Sequence, residues 1–375
     1  MRVLHTSDWH LGRAFHRESL IGAQAAFVDH LVETIRSERV DVVAVAGDVY
    51  DRALPSVDAV ALCNDTLRRL VGEKVRTILI SGNHDSARRL GFGADLIDAA
   101  GVHLRTDPAR VAEPVVVDDV AFYAVPYLEP EVVRAPWELA ERSHSAALGH
   151  AMSLIRDDLA GRGTRSVVLA HAFVTGGQGS DSERDISVGG VAHVPLSAFD
   201  GADYVALGHL HGRQRMAETV RYSGSPIAYS FSEAGQTKGS WLVDIGPQGF
   251  QGAEFVPAPV PRPIARVSGR LPDLLTSPRW ARYEDHWLQV TLTDPVRPKN
   301  AMESLRRRFP HTLALAFAPE DADRPAAGVP RLSGRPEIEV VLDFVREVRD
   351  EPADDEETRL LRAAVEACRA KEAQL

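Results

Sequence analysis

Val42-Val43-Ala44-Val45-Ala46-Gly47-Asp48-Val49-Tyr50-Asp51 decides how this chain folds. A short unbroken apolar run reads as a buried strand, and the Gly-Asp that follows delivers a carboxylate at the strand's end. An unpaired charge in such a place is strongly unfavourable. One divalent cation, better two, would neutralise it. Taken alone, Asp48 is better read as a helix cap or turn aspartate.

The same grammar recurs along the chain. Arg2-Val3-Leu4-His5-Thr6 leads to Asp8-Trp9-His10, residues 75–81 lead to Gly82-Asn83-His84-Asp85, residues 166–170 lead to His171, and residues 204–207 lead to Gly208-His209-Leu210-His211. Ligands of open α/β sheets sit beyond the carboxyl ends of the strands, where these blocks fall. Gly47, Gly82 and Gly208 are expected to let the backbone turn as it leaves each strand.

Each block is weak evidence by itself. An Asp-x-His pair is usually a surface or capping pair, and a solitary histidine after a strand is usually a satisfied core residue, as His5, His30 and His103 read. Their joint occurrence points to a binuclear metal site built from Asp8, His10, Asp48, Asn83, His171, His209 and His211. Carboxylate and amide oxygens mixed with imidazoles favour manganese, iron or zinc over calcium, and no cysteine takes part. Two such ions, about 3.5–4 Å apart, can clamp the attacking and leaving oxygens of a displacement at phosphorus. His84 stands beside a neutral ligand, and histidine is the residue type suited to a general acid near neutral pH. Asp51 is expected to hold its other ring nitrogen.

The 375 residues are 44% hydrophobic and 26% charged, ordinary values for a globular chain. Cys63 and Cys368 offer neither a disulfide framework nor a metal-ligand spacing, which fits a cytoplasmic protein. No leader and no membrane-spanning run is expected. The net charge of -10 argues against a generally basic DNA-coating surface. Arginines nevertheless lie near the blocks: Arg13, Arg17, Arg52, Arg88, Arg89, Arg184, Arg213 and Arg215.

Residues 1–256 alternate strands with helices, the latter expected over 18–38, 55–71 and 137–159, as in an α/β domain. Pro257-Ala258-Pro259-Val260-Pro261-Arg262-Pro263 marks a boundary. A small α+β unit follows over 262–318, with strands at 264–268, 287–292 and 312–317 and a helix at 300–309. Residues 319–336 read as a linker. Over 337–375, Ile338, Val341, Leu342, Val345 and Val348 form one amphipathic stripe, and Leu360, Leu361, Ala364, Val365 and Cys368 another. The acidic stretch 350–357 separates the two. A pair this short must pack on its own protein or dock a partner.

Thr6-Ser7-Asp8-Trp9-His10-Leu11-Gly12, Gly47-Asp48-Val49-Tyr50-Asp51, Ser81-Gly82-Asn83-His84-Asp85 and Ala206-Leu207-Gly208-His209-Leu210-His211 resemble the calcineurin-like metallophosphoesterases. Within them the wording is similar to the SbcD-type nuclease subunits, relatives of the Mre-type nucleases, and the likeness continues through Ser180-Asp181-Ser182-Glu183-Arg184 and Ser187-Val188-Gly189-Gly190. The resemblance implies a β-sandwich flanked by helices (αββα), a DNA-facing cap and C-terminal helices that dock a coiled-coil ATPase of the SbcC type. It implies that Asp8, His10, Asp48 and His211 hold one ion, that Asp48, Asn83, His171 and His209 hold the other, and that the metal is manganese. His84 would protonate the leaving sugar oxygen. It further implies a homodimer within a heterotetramer that cleaves DNA ends and hairpins.

Gly47-Asp48-Val49-Tyr50-Asp51-Arg52 also resembles phosphatase wording, in which the arginine grips a substrate phosphate. A phosphomonoesterase or cyclic-nucleotide phosphodiesterase is therefore the alternative activity. An inactive scaffold of the same fold is a further one, although such a chain should lack ligands and this one lacks none.

Overall fold

The computed structural model describes residues 1–186, 193–319, 337–349 and 351–372. The motif Ser187-Val188-Gly189-Gly190 and the expected linker from residue 320 onward lie outside the described residues.

Two six-stranded sheets form the body. In the first, the order is Gly249–Pro257, Gly239–Gly246, Arg2–Thr6, Val42–Val45, Arg76–Ile80 and Val102–Arg105. The last four of these run parallel, and the hairpin of the first two joins antiparallel to Arg2–Thr6. The second sheet has the order Gln214–Arg215, Val220–Tyr222, Tyr204–Gly208, Arg165–His171, Val120–Val125 and Val115–Val117. Its four middle strands are parallel, with antiparallel strands at both edges.

Side chains alternate across each strand, and here both faces are covered. Val3, Val42, Ala44, Ile78 and Ile80 point into the space between the sheets, against Val120, Phe122, Val167, Leu169 and Ala206. Their neighbours Leu4, Val43, Val45 and Leu79 face outward and are covered by Phe27, Leu31 and Ile35 of the helix Ile21–Glu38 and by Ala59, Cys63 and Leu70 of the helix Val57–Gly72. On the far side, Tyr123, Val168, Ala170, Val205 and Leu207 pack on Ala147, Leu148, Ala151 and Ile155 of the helix His144–Arg162. Helix, sheet, sheet and helix are therefore stacked in four layers. Double burial explains why the strands read as unbroken apolar runs rather than alternating ones.

The unit after the proline-rich run is more regular than the α+β expectation. Ile264–Gly269, Trp287–Leu292 and Thr312–Phe317 form one sheet, all parallel. Parallel strands need crossovers, supplied by the helix Leu271–Thr276 with the 3-10 turn Pro278–Tyr283, and by the helix Ala301–Arg308. Leu274, Leu288, Val290, Leu292, Leu305 and Phe309 make its own core. It seats on the body through Ile264, Trp287, Leu313 and Ala314, which pack on Phe15, Leu20, Ile227, Tyr229 and Phe231.

The helices Glu337–Arg349 and Asp355–Glu372 follow. Asp355, Glu356 and Glu357, expected in the separating segment, form the first turn of the second helix, where acidic side chains favour the positive end of the helix dipole. Arg349 bonds Glu357 at 2.6 Å across the junction. Phe344, Val348 and Leu360 of the two helices are exposed. No helix among the described residues is long and apolar enough to cross a membrane.

Candidate metal centre

The strands Arg2–Thr6, Val42–Val45 and Arg76–Ile80 of one sheet, and Arg165–His171 and Tyr204–Gly208 of the other, end at one rim. The rim holds all seven expected ligands. Asp8, His10 and His211 present donor atoms within 4.8 Å of one another, as do Asp8, Asp48 and His171. Asn83 Oδ1 lies 2.9 Å from His171 Nε2 and 3.1 Å from His209 Nδ1. Asp48 Oδ2 sits between the two halves, 3.5 Å from His10 Nε2 and 3.5 Å from His171 Nε2.

The backbone is bent to achieve this. Asp8, His10, Asp48 and His209 all have positive φ, at 53°, 44°, 51° and 106°. Such conformations cost of order 1–3 kcal/mol each and cluster at functional sites. The glycines act otherwise than expected at two of three positions. Only Gly47 has positive φ; Gly82 and Gly208 are required by close approach, since a Cβ would meet Asp48 Oδ1 at 2.1 Å and the Ala46 carbonyl oxygen at 1.9 Å.

Hydrogen bonds outside the cluster set the direction of its donors. His171 Nδ1 donates to the Ala46 carbonyl at 2.8 Å, which leaves Nε2 bare toward Asn83. Asp8 accepts from the His209 backbone N–H at 3.0 Å and from the Ser7 hydroxyl. Burial, then the neighbouring imidazoles, hold His10 and His209 well below the usual histidine range, and burial lowers His171 as well. Burial and the adjacent Asp48 push Asp8 upward. Neutral imidazoles and crowded carboxylates are the protonation states and the charge imbalance that a divalent cation relieves. His10 Nδ1 and Asn83 Nδ2 are buried without hydrogen-bond partners. Bare imidazole nitrogens beside carboxylate and amide oxygens make a donor set that fits two such ions.

His84 is buried at the edge of the cluster, its ring 4.6 Å from that of His10. Its Nδ1 donates to the main-chain carbonyl of Asp51 at 2.8 Å, not to the carboxylate, which corrects the expected pairing. The Asp51 carboxylate is drawn to full positive charge instead. It lies 3.4 Å from Arg13 Nη1 and 3.6 Å from Arg52 Nε, with His10 Nδ1 at 3.7 Å.

The arginines divide. Arg13 and Arg52 border the cluster through Asp51, and Arg184 reaches the Asn83 carbonyl at 3.5 Å. Arg215 is engaged by Glu218, and Arg213 stacks on Phe255 at 4.4 Å. His5 is the satisfied core residue expected, bonded to Tyr204 and to the Leu207 carbonyl.

Two braces had no role assigned from sequence. Asp85 accepts from the backbone N–H groups of Val49, Tyr50 and Gly82 at 2.9–3.0 Å and so ties two ligand loops together. Gln24 donates to the His10 carbonyl at 2.7 Å and accepts from Gly12 N at 3.0 Å. The signal for Gln24 was present, because a glutamine on the buried face of an amphipathic helix needs partners.

A family model for the calcineurin-like phosphoesterases matches residues 1–213. A second, the SbcD_C model described as the type 5 capsule protein repressor C-terminal domain, matches residues 260–349. Among solved structures, the chain is similar to a protein of Thermus thermophilus, with 14% identity, TM-score 0.41 and coverage of 68% of this chain and 98% of that one. A dimetal phosphatase from Danio rerio shares 12% identity at TM-score 0.41, covering 69% and 99%. The calcineurin-like phosphoesterase YfkN from Bacillus subtilis shares 10% identity at TM-score 0.35, covering 68% and 90%.

Proposed function

The chain belongs to the calcineurin-like phosphoesterase family, and from that premise we propose that it is a metal-dependent DNA nuclease, the nuclease subunit of an SbcCD-type complex. The observation that carries the reading is the joint presence of clustered metal-capable side chains within residues 8–211 and a match to the SbcD_C model over residues 260–349. A phosphatase needs the first alone.

In this reading Asp8, His10, Asp48 and His211 would hold one manganese ion, and Asp48, Asn83, His171 and His209 would hold the other. When bound, the ions supply Lewis acidity at the phosphodiester and lower the pKa of water. His84 moves the proton. With its Nδ1–H committed to the Asp51 carbonyl, the ring can donate only as the imidazolium, whose Nε2–H passes to the departing sugar oxygen and leaves the neutral Nδ1–H tautomer behind. Asp51 thus acts through its backbone, while its side chain aligns Arg13 and Arg52. Arg52 is largely exposed and free to meet a substrate phosphate.

The three-stranded cap faces DNA in this proposal, and the exposed Phe344, Val348 and Leu360 dock the coiled-coil ATPase. Leu54, Val57, Val60, Phe92 and Leu96 are exposed as well, and Arg89 ties their two segments together through the Ala53 carbonyl. That apolar set supports a homodimer. Catalysis in the cytoplasm belongs to the same reading.

The test is a manganese-dependent assay on linear duplex DNA, hairpin DNA and a small phosphate monoester. Cleavage of DNA with little turnover of the ester is expected. Turnover of the ester alone would move the assignment to the phosphomonoesterases, the reading that Arg52 beside Asp51 favours.

A further inference from the structure

We propose that Glu233, acting through the Ser182 hydroxyl and clamped by Lys238, is a positioning residue that fixes the imidazole of His211 in its metal-binding tautomer. The proposal rests on the metal-centre reading above and adds residues to it that no ligand motif contains.

His211 is gripped at three of its own atoms. Its backbone N–H donates to Glu183 Oε1 at 2.8 Å, its carbonyl accepts from Lys238 Nζ at 2.7 Å, and its Nδ1 meets Ser182 Oγ. The same hydroxyl also contacts Glu233 Oε1. Glu233 is 1% exposed, and its other oxygen lies 2.5 Å from Lys238 Nζ.

These contacts leave one proton arrangement. A carboxylate paired with an ammonium only accepts, and a hydroxyl has a single proton to give. Ser182 must therefore donate to Glu233 and accept from His211, so the His211 proton resides on Nδ1. Its Nε2 then carries a lone pair, and that atom points into the cluster, 3.0 Å from His10 Nε2. The opposite tautomer would place a proton where the cation belongs. A buried ion pair is a weak source of stability. Its placement behind a ligand gives it a different use, since partners of this kind set the orientation of metal-bound histidines.

The network is assembled from the segments 180–183, 209–211 and 233–238, which meet only in the folded chain. Ser180 completes it, with its hydroxyl 2.7 Å from Glu183 Oε2 and 3.1 Å from Glu233 Oε1.

Manganese binding to the full chain, followed by titration calorimetry, tests the proposal, with thermal unfolding in chelator as the check on folding. Ser182→Ala and Glu233→Gln should each weaken manganese binding about 10- to 100-fold. Adding Ser182→Ala to a His211→Ala background should change nothing further, because the effect travels through that imidazole. Unaltered affinity in Ser182→Ala, or an equal loss in the His211→Ala background, would overturn the proposal. Should Glu233→Gln fail to fold, Ser182→Ala carries the test, since it removes one atom. A wild-type chain that takes up no manganese would instead sink the metal-centre reading, and that outcome is visible before any variant is made.

Discussion

The rim of the sandwich and the three-stranded unit beyond it fill their interiors by opposite rules. At the rim, Asp8, His10, Asp48, His171, His209 and His211 are all at most 3% exposed, and several sit on strained backbone. In the smaller unit the interior is Leu274, Leu288, Val290, Leu292, Leu305 and Phe309, and the charges lie outside, as in Arg307–Glu303 and Arg279–Asp273. The smaller unit is held by ordinary packing. The rim crowds carboxylates and bare imidazole nitrogens into one buried cluster, an arrangement that divalent cations would compensate.

Substitutions that remove a shared donor should break this contrast most completely. Asp48→Ala is expected to release metal and reduce hydrolysis to background together; metal analysis beside the nuclease assay would show either half failing alone. Removing residues 337–375 should abolish co-purification with an SbcC-type ATPase and leave turnover of small substrates intact, since those helices contribute nothing to the rim. Retained co-purification would refute the docking role. His84→Ala should slow hydrolysis by about 10²–10⁴-fold with both ions retained, the usual worth of one proton transfer. Empty sites in that variant would make His84 a ligand.

The smaller unit sharpens the contrast from its own side. Leu288→Ala, at the centre of the sheet, should destabilise it by about 2–5 kcal/mol, measured by denaturant unfolding, with manganese affinity unchanged. A loss of affinity would mean that the two regions are not independent. Least of all should follow from Arg266→Ala, which removes an exposed contact to Asp181 at 3.3 Å and should alter stability by about 0–1 kcal/mol.

Much of the site is legible in the order of residues along the chain. Five short blocks behind apolar runs name seven donors, because a chain with both sheet faces buried has few other places to put polar side chains. The helices over 21–38 and 57–72 and the strands over 42–45 and 76–80 fall close to their expected bounds. The hairpin Gly239–Pro257 was not anticipated, because Glu254, Gln251 and the glycines interrupt its apolar pattern where one strand lies at the sheet's edge. The Asp51 contact failed for a different reason. A side chain can be assigned a partner from its chemistry, whereas a main-chain carbonyl is available at every residue and leaves no mark in the sequence.

By itself, then, the sequence determined which donors exist and that they leave successive strands at one edge, for strand polarity and apolar run length are local properties. Only the tertiary structure decided which atom of each donor faces the others. Asp48 Oδ2 between His10 and His171, the Asp51 carbonyl under His84, and Ser182 bridging His211 to Glu233 all join segments far apart in the chain. Their meeting is fixed by sheet register and by the packing of two sheets, and neither can be computed from a residue's near neighbours.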